Sequence, residues 1–289
     1  MKISMAAATG TSKATGPTAP GWVPDSIPPF PGVALKALKM MAGTETSLID
    51  LCNLIRSDHA FSTAVLKIAN SPLVGFPKDV TSVVQASILL GFGRLRSVAI
   101  TVGLKTYFGS SFTPLMSSCW RHSVACALIA ERSAKLRLLD SEFAYTAGVL
   151  HDIGRVALAM VMPGPYASVV ERGADQPQDV LASERELCGI DHCEAGRSLV
   201  TAWNLPEAFL AITACHHDPQ AQAVGTAAVV PPSCALADAL GFSIIAYRSP
   251  RSYAEILAEF PDPSRTRFPA EGAEFASEIV NAIRVIESA

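Results

Sequence analysis

The stretch Ala147-Gly148-Val149-Leu150-His151-Asp152-Ile153-Gly154-Arg155 sets a histidine beside an aspartate inside an apolar run. Phe143, Ala147, Leu150, His151 and Leu158 recur at helical spacings. One helix is therefore expected over about 141–161, with His151 facing the core. Burying a charge there is expensive unless it is paired or bound to a metal. Catalysis, a structural metal, or a polar remnant inside a signalling scaffold would each account for it.

Outward from this stretch the same periodicity continues. A short helix is expected from Val33 to Met41, closed by Gly43. Thr46 or Ser47 can cap the next, which carries Leu48, Leu51, Cys52, Leu54 and Ile55. Asp58 caps a third, with Phe61, Ala64, Val65, Ile68 and Ala69 on one face, and Asn70-Ser71-Pro72 stops it. Thr81 or Ser82 opens a fourth, Gly91-Phe92-Gly93 breaks it, and a further helix runs over 94–108. Helices are expected over 112–137, 178–188, 191–203 and 206–217, then over Ser233–Tyr247 and Glu274–Glu287. Residues 219–232 and 261–269 are expected to be loops, and no convincing strand alternation occurs. The expectation is an all-α, multi-helix bundle. It divides near Ser110–Thr113 into a bundle without clustered metal-binding side chains and one that holds nearly all of them. Residues 1–26, rich in Ala, Thr, Gly, Ser and Pro without periodicity, are expected to form a disordered arm.

The bulk composition excludes several functions. The 289 residues are 49% hydrophobic and only 7% aromatic, which favours packed helices. A net charge of −3 without a Lys/Arg cluster gives no footprint for nucleic acid. The seven cysteines form no CxxC pair and are expected to be reduced, acting as small hydrophobes. The N-terminus lacks the apolar core of a signal peptide. Pro231, Pro232 and Asp238 interrupt the apolar window Thr226–Tyr247, so it does not read as a membrane span. A cytoplasmic protein with no membrane partner is expected.

Five of the six histidines fall between 122 and 217: His122, His151, His192, His216 and His217. His122 shares a helical stripe with Cys126 and Ile129. Asp238 shares one with Cys234, Phe242 and Ile245, and is the only charge in 233–247. Both are expected to face inward. Imidazole and carboxylate together suit Zn, Fe or Mn, and helices of a bundle can bring such side chains to one point. A bound ion would lower the pKa of a water and orient a phosphate. Arg94 and Arg96 are expected on a solvated face, and Trp120-Arg121 as a packing pair.

The order of these residues runs His122, His151-Asp152-Ile153-Gly154-Arg155, Glu186 with His192 and Gly196, His216-His217, then Asp238. It resembles the HD superfamily of metal-dependent phosphohydrolases, and within it the HDOD (HD-related output domain) family. The resemblance extends to Ile27-Pro28-Pro29-Phe30-Pro31-Gly32-Val33, Ile55-Arg56-Ser57-Asp58 and Leu66-Lys67-Ile68-Ala69-Asn70-Ser71. It includes Leu89-Leu90-Gly91-Phe92-Gly93-Arg94-Leu95-Arg96, Trp120-Arg121-His122, the run from Glu184 to His192, and Trp203-Asn204-Leu205-Pro206. It covers roughly residues 27–245, as an N-terminal helical subdomain (27–110) and an HD-like core (111–245), and leaves 246–289 as a C-terminal helical extension.

The resemblance implies a bacterial signalling module that acts on signalling proteins in trans, most relatives having no established catalysis. The related HD-GYP phosphodiesterases cleave cyclic di-GMP at a multi-metal site. Carried over position by position, His122, His151, Asp152, His192, His216, His217 and Asp238 match their ligand positions, with Asp152 as the bridging residue. Arg155 stands where those enzymes carry a Lys, which makes it a candidate phosphate contact but not an equivalent of that Lys. Asp218-Pro219-Gln220 stands where their Gly-Tyr-Pro loop follows. A non-catalytic regulatory module, its HD core either empty or holding a divalent Fe, Mn or Zn, is thus the first expectation. A phosphohydrolase acting on a nucleotide or cyclic dinucleotide is the alternative.

Overall fold

A computed structural model of the chain describes residues 27, 32–42, 47–71, 74, 79–108, 112–173, 180–217, 225–260 and 265–288. Among the described residues every regular element is helical and no strand occurs. The first group of helices is α1 (Gly32–Ala42), α2 (Leu48–Arg56), α3 (His59–Ala69) and α4 (Val83–Phe108), with α1, α2 and α3 all packed on α4. Their starts obey the local signals. Ser47 and Asp50 form a capping box, the Asp58 carboxylate accepts from the Phe61 N–H, and the Ser82 hydroxyl accepts from the Gln85 N–H. The break expected at Gly91 is a kink inside α4, where φ is 75°. Val83–Thr106 has the length and apolarity to cross a membrane, yet 61% of its most apolar window is buried within the protein.

The second group is α5 (Pro114–Leu136), α6 (Ser141–Leu150), α7 (Ile153–Val161), α8 (Pro163–Gly173), α9 (Val180–Cys188), α10 (His192–Ala202), α11 (Ala208–Cys215) and α12 (Val230–Ala237). Helix α5 is the axis: α6 and α12 lie along it, while α7 packs on α10 and α10 on α11. Two further helices follow, α13 (Tyr253–Leu257) and α14 (Gly272–Ser288). Helix α14 packs on both α3 and α5, and the Lys67 ammonium donates to the Ser288 carbonyl at 2.7 Å. The C-terminal extension therefore packs back across both groups. One continuous apolar cluster, from Ile27 to Ile286, runs through all of them. The expected boundary at 110–113 falls partly outside the described residues, as do the N-terminal arm 1–26, the prolines at 28–31, and Gly43.

Three expectations need correction. The helix over 141–161 is broken at His151-Asp152 into α6 and α7. Helix α8 was not expected; it opens on Pro163-Gly164-Pro165, and proline is at home in a first helical turn, where no N–H is required. The helix over 233–247 starts earlier, at Val230, inside the expected loop 219–232, and ends at Ala237. Beyond it lies one π turn, 238–242, in which Gly241 takes a φ of 89°. The segment 243–247 is irregular.

Candidate metal centre

The break between α6 and α7 directs both side chains of the His151-Asp152 pair into the core. Asp152 holds the N-cap position of α7, where a carboxylate normally accepts from the helix N–H groups, yet it makes no such bond. Its oxygens face imidazoles instead. Oδ1 lies 3.0 Å from His216 Nε2 and 3.4 Å from His192 Nε2. Oδ2 lies 3.4 Å from His122 Nε2 and 3.5 Å from His151 Nε2. His122 comes from the middle of α5, His192 opens α10, and His216 follows the end of α11. All four histidines and Asp152 are buried, whereas His217 is exposed, its ring 4.3 Å from that of His216. Close approach of α7 to α10 makes this convergence feasible: a Cβ on Gly154 would sit 1.9 Å from the His192 carbonyl oxygen.

The outer ring nitrogens are held by acceptors. His151 Nδ1 donates to Gly148 O at 2.7 Å and His216 Nδ1 to Ile212 O at 3.1 Å. His192 Nδ1 donates to Glu184 Oε2 at 2.6 Å, an oxygen that also takes the His192 backbone N–H. His122 Nδ1 faces Phe242 O at 3.2 Å and Asp238 Oδ1 at 3.3 Å. Such partners fix the tautomer and orient a metal-binding ring. Each inner Nε2 is left with a lone pair, and these point at Asp152 or at one another; His192 Nε2 and His216 Nε2 are 3.3 Å apart. His151 Nε2 is buried with no hydrogen-bond partner. Acceptors facing acceptors repel unless a cation lies between them. A tetrahedral ion about 2.0–2.1 Å from each nitrogen sets two nitrogens about 3.3 Å apart. The donor chemistry fits a divalent transition metal. Asp152, His192, His216 and His217 can offer donor atoms within 4.8 Å of one another, and so can His122, His151 and Cys234.

The charges are arranged around one carboxylate. Burial opposes ionisation of Asp152, but the Arg155 guanidinium beside it, the largest opposing cause, helps hold its pKa well below the usual range. Burial pushes His151 down to about 3, leaving it a neutral base. Burial also raises Glu184 to about 7. The Arg155 guanidinium lies against the same carboxylate, Nε 3.1 Å from Oδ2, as an ion pair in which the N–H does not point at the oxygen. Its Nη2 donates to His217 Nε2 at 3.4 Å. Arg155, expected as a phosphate contact, is thus buried and turned toward Asp152.

Among the other expected residues, His122 and His151 face inward as their stripes require. Asp238 is about one-third exposed and meets the outer nitrogen of His122, not the inner one. Glu186 pairs with Arg172 on the surface at 2.6 Å, and the buried carboxylate that serves His192 is Glu184. Glu184 shares a helical line with Val180 and Cys188, a signal that it points inward. Cys234, expected only as a hydrophobe, brings its Sγ to 3.5 Å from His122 Nε2. Arg94 and Arg96, expected on a solvated face, are largely covered.

Above the centre lies a cavity of about 30 Å³, lined by His122, Arg155, His217, Cys234, Asp238, Tyr247 and the segment Ser243–Ile245. A second cavity of about 230 Å³, lined by Ala235, Ala239, Pro250, Arg251 and Ile256 among others, shares Asp238 and Tyr247 with it.

Comparison with known proteins agrees with this fold. A Treponema pallidum (strain Nichols) protein without an assigned function is 26% identical over 199 residues, which is 67% of this chain; the chain spans only 38% of that relative's length. The crystal structure of an HDOD domain protein of unknown function from Geobacter sulfurreducens superposes with a TM-score of 0.71 at 26% identity, covering 91% of each chain. A candidate signal transduction protein from Marinobacter aquaeolei VT8 matches with a TM-score of 0.65 at 22% identity, over 91% of this chain and 59% of that one, and so shares the fold. The HDOD domain family model matches residues 27–219, about two-thirds of the sequence, and the protein belongs to the HDOD domain family.

Proposed function

We propose that this protein is a regulatory signalling module whose HD-like core holds a resident divalent transition metal and catalyses no phosphoester hydrolysis. One observation carries it: the space bounded by His122, Arg155 and His217 is about 30 Å³, against the roughly 300–1,000 Å³ of small-molecule sites. Residues 243–247 close that space, and Arg155, the one guanidinium able to meet a phosphate there, is committed to Asp152 and His217. Asp152, His192, His216, His122 and His151 would hold the ion, with His217 at the rim. Asp238 and Glu184 would orient His122 and His192. When bound, the ion supplies the positive charge that joins α5, α7, α10 and α11 at one point. Signalling then runs through helical surfaces that engage a protein partner in trans, in the cytoplasm, without nucleic acid or membrane.

The donor set and the adjoining cavity of about 230 Å³ favour a second reading, a metal-dependent phosphohydrolase acting on a nucleotide or cyclic dinucleotide. One assay separates the two. Metal-loaded protein is incubated with cyclic di-GMP, linear dinucleotides and nucleoside phosphates. Under the regulatory reading every substrate survives as in a protein-free control. Turnover by the wild type that Asp152→Ala removes would overturn it.

A further inference from the structure

We infer that Cys234 is a metal ligand, so that His122, His151 and Cys234 form a nitrogen–sulfur compartment beside the nitrogen–oxygen compartment of Asp152, His192 and His216. The assignment rests on a metal occupying the core, as proposed above. Its geometry admits an ion as well as a thiol hydrogen-bonded to the imidazole. A tetrahedral ion about 2.0 Å from nitrogen and about 2.3 Å from sulfur sets those atoms about 3.5 Å apart. Cys234 Sγ and His122 Nε2 are 3.5 Å apart. The third corner is His151 Nε2, which is wholly buried, has its Nδ1 committed to Gly148 O, and has no partner of its own. All three donor atoms lie within 4.8 Å of one another.

Charge balance favours the sulfur. Asp152 Oδ2 is the carboxylate oxygen facing the inner nitrogens of His122 and His151, and Arg155 Nε already lies 3.1 Å from it. Asp238 adds negative charge only through the outer nitrogen of His122 and is one-third exposed, so two neutral imidazoles and a carboxylate oxygen shared with a guanidinium would leave a dication undercompensated in the core. A Cys234 thiolate supplies the missing charge. On binding, the S–H bond breaks, the proton passes to solvent and a metal–sulfur bond forms. The other compartment needs no thiolate, because Oδ1 faces His192 and His216 without a guanidinium against it. Cys193 Sγ, 3.6 Å from His192 Nε2, lies on that side and serves as the control. A mixed thiolate and imidazole set selects zinc or iron over manganese or magnesium.

Cobalt-substituted full-length protein reports on this directly through its near-ultraviolet thiolate-to-cobalt charge-transfer band. The wild type is expected to show the band, Cys193→Ser to keep it and Cys234→Ser to lose it. X-ray absorption at the zinc edge of the unmutated protein reads the same contact without a variant, as one sulfur about 2.3 Å from zinc. Metal bound by nitrogen and oxygen alone, or a band that survives Cys234→Ser, overturns the cysteine assignment while leaving a resident metal intact. Protein that binds no metal overturns both.

Discussion

Two buried polar clusters in this molecule are built on opposite principles. At the joint between α4 and helices α5 and α6, donors meet acceptors. Arg94 Nη1 donates to both oxygens of Glu131 at 2.8 and 2.7 Å, and Lys135 reaches Glu131 Oε1 at 2.6 Å. Ser97 donates to Glu142 at 2.7 Å, and the Thr101 and Tyr145 hydroxyls are 3.0 Å apart. Among the buried side-chain atoms of the described residues there, only Arg96 Nε lacks a partner, and its guanidinium carbon lies 5.4 Å from the centre of the Phe92 ring. At Asp152 the balance is reversed: inner imidazole lone pairs face a carboxylate and one another. A satisfied network is complete as a structural element, whereas a surplus of convergent acceptors is a site for a cation.

Substitutions that separate the two clusters order themselves by size. Asp152→Ala has the largest effect. It leaves the Arg155 guanidinium buried without its partner, at a cost of about 3–5 kcal/mol by denaturant unfolding, and elemental analysis should find the metal lost. Metal retained by that variant would break the contrast. Glu131→Ala removes the charged partner of Arg94 and should cost about 1.5–3 kcal/mol while leaving metal content unchanged. A fall in bound metal would show that the clusters are coupled. Gly154→Ala drives a methyl into the His192 carbonyl, and a melt should show about 1–3 kcal/mol of destabilisation with weaker metal binding. Glu184→Gln should disturb the fold least. It keeps the shape but not the charge behind His192, and metal titration should weaken about 10–100-fold. Unchanged affinity would remove Glu184 from the site.

The helices were readable from the sequence wherever caps and spacing were local, as at Ser47 and Asp58. The inward faces of His122 and His151 followed from the same spacing. What escaped depends on contacts distant in sequence. The break at His151-Asp152 has no proline to announce it, and Asp152, although at the N-cap position of α7, turns its carboxylate away from the helix to meet His216, 64 residues away. Arg94 and Arg96 looked solvated because the carboxylates that cover Arg94 and flank Arg96 stand on α5, α6 and the turn between them. Cys234 looked like any buried cysteine until α12 was laid along α5, bringing it to His122.

The most direct test is the transition-metal content of the purified full-length protein after expression in medium supplemented with iron, manganese and zinc. The lone pairs around Asp152 predict near-stoichiometric metal that survives dialysis and is lost in Asp152→Ala. Wild-type protein carrying only a trace of metal, folded and with the same melting temperature before and after chelation, would contradict the account.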